Sequence, residues 1–123
     1  MEELCRKIAE SRNAELEFEY EYGYPPVVNS PEFTSFCKEI VKDTLGNEVV
    51  VDLKEPAMGG EDMTYYLQKV PGAFLFLGSR KKVDGKFYGH HNSKFDIDES
   101  VFWMGTAIFL RTAHEWLKKK SIK

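Results

Sequence analysis

The sequence predicts an α/β domain in which helices alternate with parallel strands. Three observations predict it. Candidate elements follow one another in the order α-β-α-β-α-β-α along the 123 residues. Two runs, EVVVDL at 48–53 and PGAFLFLGS at 71–79, are apolar without period-two alternation, the pattern of strands covered on both faces. A hydrophobic content of 42% with 14% aromatic residues supplies a real core for one domain of this length. Folding at this size buries roughly two-thirds of the unfolded surface.

The first element is a helix over 2–12. Leu4, Ile8 and Cys5 make a narrow apolar face among charged residues, and Asn13 is its stop. In AELEFEYEY, 14–22, Leu16, Phe18, Tyr20 and Tyr22 alternate with Glu15, Glu17, Glu19 and Glu21. Period two predicts a half-buried strand. Its glutamate face reads as a solvated surface that repels unwanted edge pairing, not as a carboxylate cluster for a metal.

GYPPVVNSPEF breaks that strand with a glycine and prolines. A unit boundary is placed at 23–26, where a charged, alternating strand gives way to fully apolar ones. Ser30-Pro31-Glu32 then starts a helix: a hydroxyl N-cap, proline at the first position and an acid near the positive end. The helix runs to about Thr44, buries Phe33, Cys37, Ile40 and Val41 with Phe36 beside them, and ends at Gly46.

Strand 48–53 leads through Pro56 and Gly59-Gly60 into a short helix, EDMTYYLQKV. Strand 71–79 follows, and RKKVDGK reads as a charged surface loop. After FYGHHNSKFDIDES, Asp96 or Asp98 caps a last helix to about Lys119, with Val101, Met104, Gly105, Ile108, Leu110, Thr112 and Trp116 on a broad, mainly apolar surface.

Charge and composition exclude several functions. A net charge of −3 and a pI near 5.6 leave no basic footprint for nucleic acid. The lysines at 118–120 suit a helix C-terminus. The longest apolar stretch, VFWMGTAIFL, has 10 residues, against about 20 for a bilayer span. The charged start, MEELCRKIAESR, is no signal sequence, and Cys5 and Cys37 stand outside any CxxC or CxH motif. Together these predict a cytoplasmic chain with reduced thiols and no membrane partner.

Chemistry concentrates in two places. His90 and His91 beside Asp96 and Asp98 suggest imidazole ligation, although helix capping explains the aspartates and a surface pair explains the histidines. Gly59-Gly60-Glu61-Asp62 would let a backbone approach a ligand, yet acids already occupy the helix start. No Walker, Rossmann or GxSxG spacing occurs, and His114 reads as a surface or partly packed residue.

YGYPPVVNSPEF, GGEDMTYYLQKVPGAFLFLG and HHNSKFDIDES, in this order and with the apolar last helix behind them, resemble the C-terminal portion of the zinc-dependent amidohydrolase family of carboxypeptidases and aminoacylases. Hippurate hydrolases and indole-acetyl-amino-acid hydrolases belong to that family. The resemblance covers essentially the whole chain. It implies an α/β fold that is a truncated part of a metallopeptidase-type catalytic sheet with flanking helices, preceded by the last helix and strand of a ferredoxin-like lid domain. On it, 1–24 is a remnant of the lid and dimerisation domain, and 25–123 is the C-terminal part of the metal-dependent catalytic domain. The 25–29 segment is the crossing between them.

The resemblance makes His91 a metal ligand, with Zn2+ the expected cofactor. Gly60 and Glu61 become candidates for the pocket wall, and Asn29 a hinge asparagine that helps hold substrate. Met63 and Ser93 depart from the family pattern, where phenylalanine and proline are common. The family's Cys-x-His pair, its glutamate pair with the general base and a further histidine lie upstream of the matched part and have no counterpart in this sequence.

Three functional expectations follow. The first is a fragment or remnant of a hydrolase for amide bonds of N-acyl amino acids or peptide C-termini, inactive alone. The second is a non-catalytic interaction module that forms a homo-oligomer or complements a separate N-terminal half. The third is a self-contained small binding domain in which the histidines do nothing.

Overall fold

A computed structural model describes residues 1–121; the last two residues of the predicted 25–123 unit lie outside the described residues. Helix α1 spans Glu2–Ser11. Pairs four residues apart, Glu2 with Arg6 at 2.6 Å and Glu3 with Lys7 at 2.7 Å, line its exposed side. Asn13, with φ of 51°, turns the chain away as expected. The predicted apolar face is present but uncovered, for Leu4 and Ile8 are both exposed.

Helix α2 spans Pro31–Leu45 and starts as its sequence dictates. The Ser30 hydroxyl accepts from the Phe33 N–H at 3.4 Å, and Pro31 takes the first position, where an N–H would be idle. Gly46 ends it at φ of 99°, a left-handed conformation that costs a side-chain-free residue little. Helix α3, Met63–Leu67, is a turn and a half. Helix α4, Phe102–Ser121, is entered through a 3₁₀ turn, Glu99–Val101, capped by Asp98, whose carboxylate accepts from the Ser100 N–H at 3.0 Å.

The core lies where α2 meets α4. Cys37 is 3% exposed and Ile40 6%, both on the predicted stripe of α2. Phe33 and Phe36 stack against Trp116 of α4, with ring centroids 5.0 and 5.3 Å apart. Arg111 of α4 donates to the Thr44 hydroxyl at 3.2 Å, tying the far end of the pair.

The expected parallel sheet is not formed among the described residues. Stretches 14–22, 48–53 and 71–79 carry no strand, and Asn47–Val49 is a 3₁₀ turn. The reason is physical. A strand persists only when its N–H and C=O groups meet a neighbour, and no neighbouring strand flanks these stretches. Apolar, β-branched composition states a preference for a sheet but cannot provide the partner.

The sheet that does form lies in the stretch expected to be a charged loop. Strands β1, Lys82–Val83, and β2, Lys86–Phe87, pair antiparallel, Lys82 opposite Phe87 and Val83 opposite Lys86. Asp84 and Gly85 turn between them at φ of 52° and 75°. Two left-handed residues match the strand twist, which is why Asp-Gly is a strong hairpin signal. A single bridge, Arg80 to Ile97, ties the hairpin to the entry of α4.

Much apolar surface stays open. The chain exposes 10,844 Å² at 14.2 kDa. A compact monomer of that mass exposes about 6,800 Å². Phe109 and Leu110 on α4 are 80% and 68% exposed, and Val51, Leu53 and Phe76 are exposed in the stretches that lack a sheet. Among the described residues, no helix is long and apolar enough to cross a membrane.

Candidate functional site

The histidine turn hangs between β2 and the entry of α4. Its shape comes from local bonds: the Asn92 side chain accepts from the Lys94 N–H at 2.9 Å, and the Phe95 N–H bonds the Asn92 carbonyl at 2.9 Å. His91 sits at φ of 66°, a left-handed conformation uncommon for a residue with a side chain. His90 rests edge-on against the Phe95 ring, centroids 4.9 Å apart. Both imidazoles belong to exposed residues.

The nearby carboxylates are otherwise engaged. Asp96 bonds Lys81 at 2.8 Å and accepts from the Ile97 N–H at 2.8 Å. The Lys81 ammonium, with that N–H, holds its carboxyl below the usual range. Asp98 is held low by the Ser100 hydroxyl and N–H at the start of α4. A depressed carboxyl stabilises the fold at pH above its ordinary value, and this support fades as pH falls through the lowered one. Capping and pairing therefore account for both aspartates.

The zinc expectation can be tested against these donors. Among the described residues, no group of three or more His, Cys, Asp or Glu side chains could hold a metal ion. Catalytic zinc needs about three protein ligands with an open position. The described residues do not make such a site around His91.

The second candidate region is built from α3 and the segment that crosses toward α2. Glu61 is half-buried, and its carboxylate accepts from the Met63 N–H at 3.3 Å, at the head of α3. Gly60 lies under Tyr24: a Cβ there would sit 2.9 Å from the tyrosine ring. Close approach at this glycine is thus spent on a residue of the chain. Tyr24 also meets Tyr65 edge-on at 5.9 Å.

Asn29 is doubly bonded. Its side-chain NH2 donates to the Phe74 carbonyl at 3.0 Å, and its oxygen accepts from the Phe74 N–H at 2.8 Å. The adjacent Ser30 N–H donates to the Gly72 carbonyl at 2.9 Å. Thr64, 1% exposed, donates its hydroxyl to the Pro26 carbonyl at 2.9 Å. Asn29, Gly60 and Glu61 therefore belong to one neighbourhood, where 24–30 meets 60–74. Among the described residues, no hydrogen bond, ion pair or ring contact joins that neighbourhood to His91. Sequence reasoning missed Tyr24 and Thr64, since neither a tyrosine beside Pro-Pro nor a threonine inside a short helix carries a distinctive signal.

Nucleophilic chemistry gains nothing from the remaining groups. Cys37 is buried, and desolvation raises its thiol pKa, keeping it protonated. The neighbouring Thr112 hydroxyl pulls the other way, but burial is the larger effect. His114 is exposed beside Glu115, its Nδ1 at 3.0 Å from the carboxylate.

Comparison with known proteins adds an independent line. The model of peptidase family M20/M25/M40 matches residues 6–115. The chain is 43% identical over 101 residues to the amidohydrolase-type protein YhaA of Bacillus subtilis (strain 168), covering 82% of this chain and 25% of that protein. It is 43% identical over 82 residues to thermostable carboxypeptidase 1 of Saccharolobus solfataricus, covering 67% of this chain and 20% of that protein. Among solved structures, an aminohydrolase-type protein from methicillin-resistant Staphylococcus aureus superposes with a TM-score of 0.64 at 29% identity, over 90% of this chain and 28% of that one. The chain thus spans about a quarter of the length of the relatives it matches.

Proposed function

The chain belongs to peptidase family M20/M25/M40, and from that premise we propose that it is the closing portion of a metal-dependent amidohydrolase or carboxypeptidase. The substrate class is the amide bond of an N-acyl amino acid or a peptide C-terminus. Residues 25–123 supply the C-terminal part of the catalytic domain, and 1–24 the end of a lid domain. His91 offers one imidazole to a metal centre, zinc being the family expectation. Gly60 and Glu61 form pocket wall, and Asn29 serves the substrate side through the stretch it holds. Its two unpaired cysteines suit a cytoplasmic setting.

One observation carries the reading: a family match over 6–115 coexists with the absence, among the described residues, of any cluster able to hold a metal. Metal-assisted hydrolysis needs an ion to activate water and a carboxylate to move its proton. One imidazole cannot supply both. The test is reconstitution. The pure chain with zinc, cobalt or manganese and N-acyl amino acids should show no turnover. Adding a polypeptide that carries the Cys-x-His and glutamate pair should produce turnover, and His91→Ala should remove it. Clear turnover by the unaccompanied chain would reject the reading.

The exposed apolar surface favours a second reading, a non-catalytic interaction module that self-associates. Light scattering separates the two: a monomer across the micromolar range that gains activity on reconstitution excludes the module.

A further inference from the structure

The crossing segment 24–30 is held by one backbone bond and otherwise by side chains where a sheet would use backbone. The Ser30 N–H bonds Gly72, and two residues further on both polar groups of the Phe74 backbone are taken by the Asn29 carboxamide. An amide side chain can present an N–H and a carbonyl oxygen side by side in one plane, the same kinds of group a peptide presents, with a second N–H to spare. It therefore completes a ladder that the crossing segment's own backbone does not continue. Thr64 and Tyr24 hold the other end, on the Pro26 carbonyl and over Gly60. By contrast, the described residues show no hydrogen bond within 15–23.

We propose that Asn29 is a positioning residue: its carboxamide latches the crossing segment in register on 72–74, and so sets the placement of the block that carries Gly60 and Glu61. In this role it acts through Phe74. One of its N–H groups and one lone pair of its oxygen are engaged by Phe74, which fixes the plane of the amide. Any swing of α1 and 14–23 relative to α2 then pivots before Tyr24. The proposal deepens the reading of Asn29, Gly60 and Glu61 as one substrate-side region and rests on it for its functional meaning alone.

The test needs no turnover. In the unmodified protein, amide exchange followed by NMR should show the Asn29 NH2 and the Phe74 N–H protected at least ten-fold over the NH2 groups of Asn47 and Asn92 and over the amides of 15–23. Asn29→Asp keeps the acceptor and places a second oxygen against the Phe74 carbonyl. At neutral pH it should lose the Phe74 protection. Below about pH 3.9, where a free aspartate protonates, the carboxyl becomes a donor and protection should return toward that of the unmodified protein at the same pH. Asn29→Ala should lose it at every pH. An unprotected Asn29 NH2 in the unmodified protein, or an Asn29→Asp variant indifferent to pH, would overturn the latch. Neither result touches the hydrolase reading, and failed reconstitution would leave the latch intact.

Discussion

Replacing Ile40 by alanine should destabilise the chain by about 2–5 kcal/mol, the range for removing a buried isoleucine and leaving a partly collapsed cavity. Ile40 is 6% exposed and lies with Cys37 where α2 packs on α4. The apolar core among the described residues consists of those two side chains, flanked by the half-buried Phe33, Phe36 and Trp116. Small domains have total stabilities of about 5–15 kcal/mol, so one cavity removes a large share. Urea unfolding followed by tryptophan fluorescence measures it, because Trp116 sits at this contact. A cost below about 1 kcal/mol would mean that the α2–α4 contact is not the centre of stability.

Thr64→Val should cost about 1–3 kcal/mol, although the side chain keeps its volume. Thr64 is 1% exposed, and its hydroxyl is the donor that reaches the Pro26 carbonyl. Valine leaves that carbonyl without its partner and with little access to water. Thr64→Ser, which keeps the donor, separates hydrogen bonding from packing. If the valine variant melts with the parent while the serine variant does not, the methyl group carries the contact and the hydroxyl is incidental.

The two sites explain why legibility was uneven. Helix starts and stops were legible at Ser30-Pro31, Asn13, Gly46 and Asp98, because capping uses side chains within a few residues of the groups they satisfy. The β1–β2 hairpin was legible too, in Asp84-Gly85, but the surrounding lysines drew the stretch toward a loop. The strands expected at 48–53 and 71–79 were legible only as a preference, and neither forms. Pairing joins residues distant in the chain, and composition does not say whether a partner is there.

The candidate site divides in the same way. Histidine and carboxylate side by side in FYGHHNSKFDIDES suggested ligation, and the described structure commits the carboxylates to Lys81 and to the entry of α4. Asn29 and Gly60 were legible as special positions from the motif around them. That the first bonds Phe74, 45 residues away, and the second lies under Tyr24 required the fold.

By itself the sequence determined family membership, the helices among the described residues with the caps at Ser30 and Asp98, and the stripe of α2 that becomes the core. Those depend on local spacing and on motifs that survive as strings of letters. Tertiary structure alone decided that the apolar stretches carry no sheet, that Thr64 is the most deeply buried polar side chain among the described residues, and that an asparagine amide stands in for a peptide group. Each of these depends on which groups find a partner across the fold, and hydrogen bonding and burial are settled by distance in space.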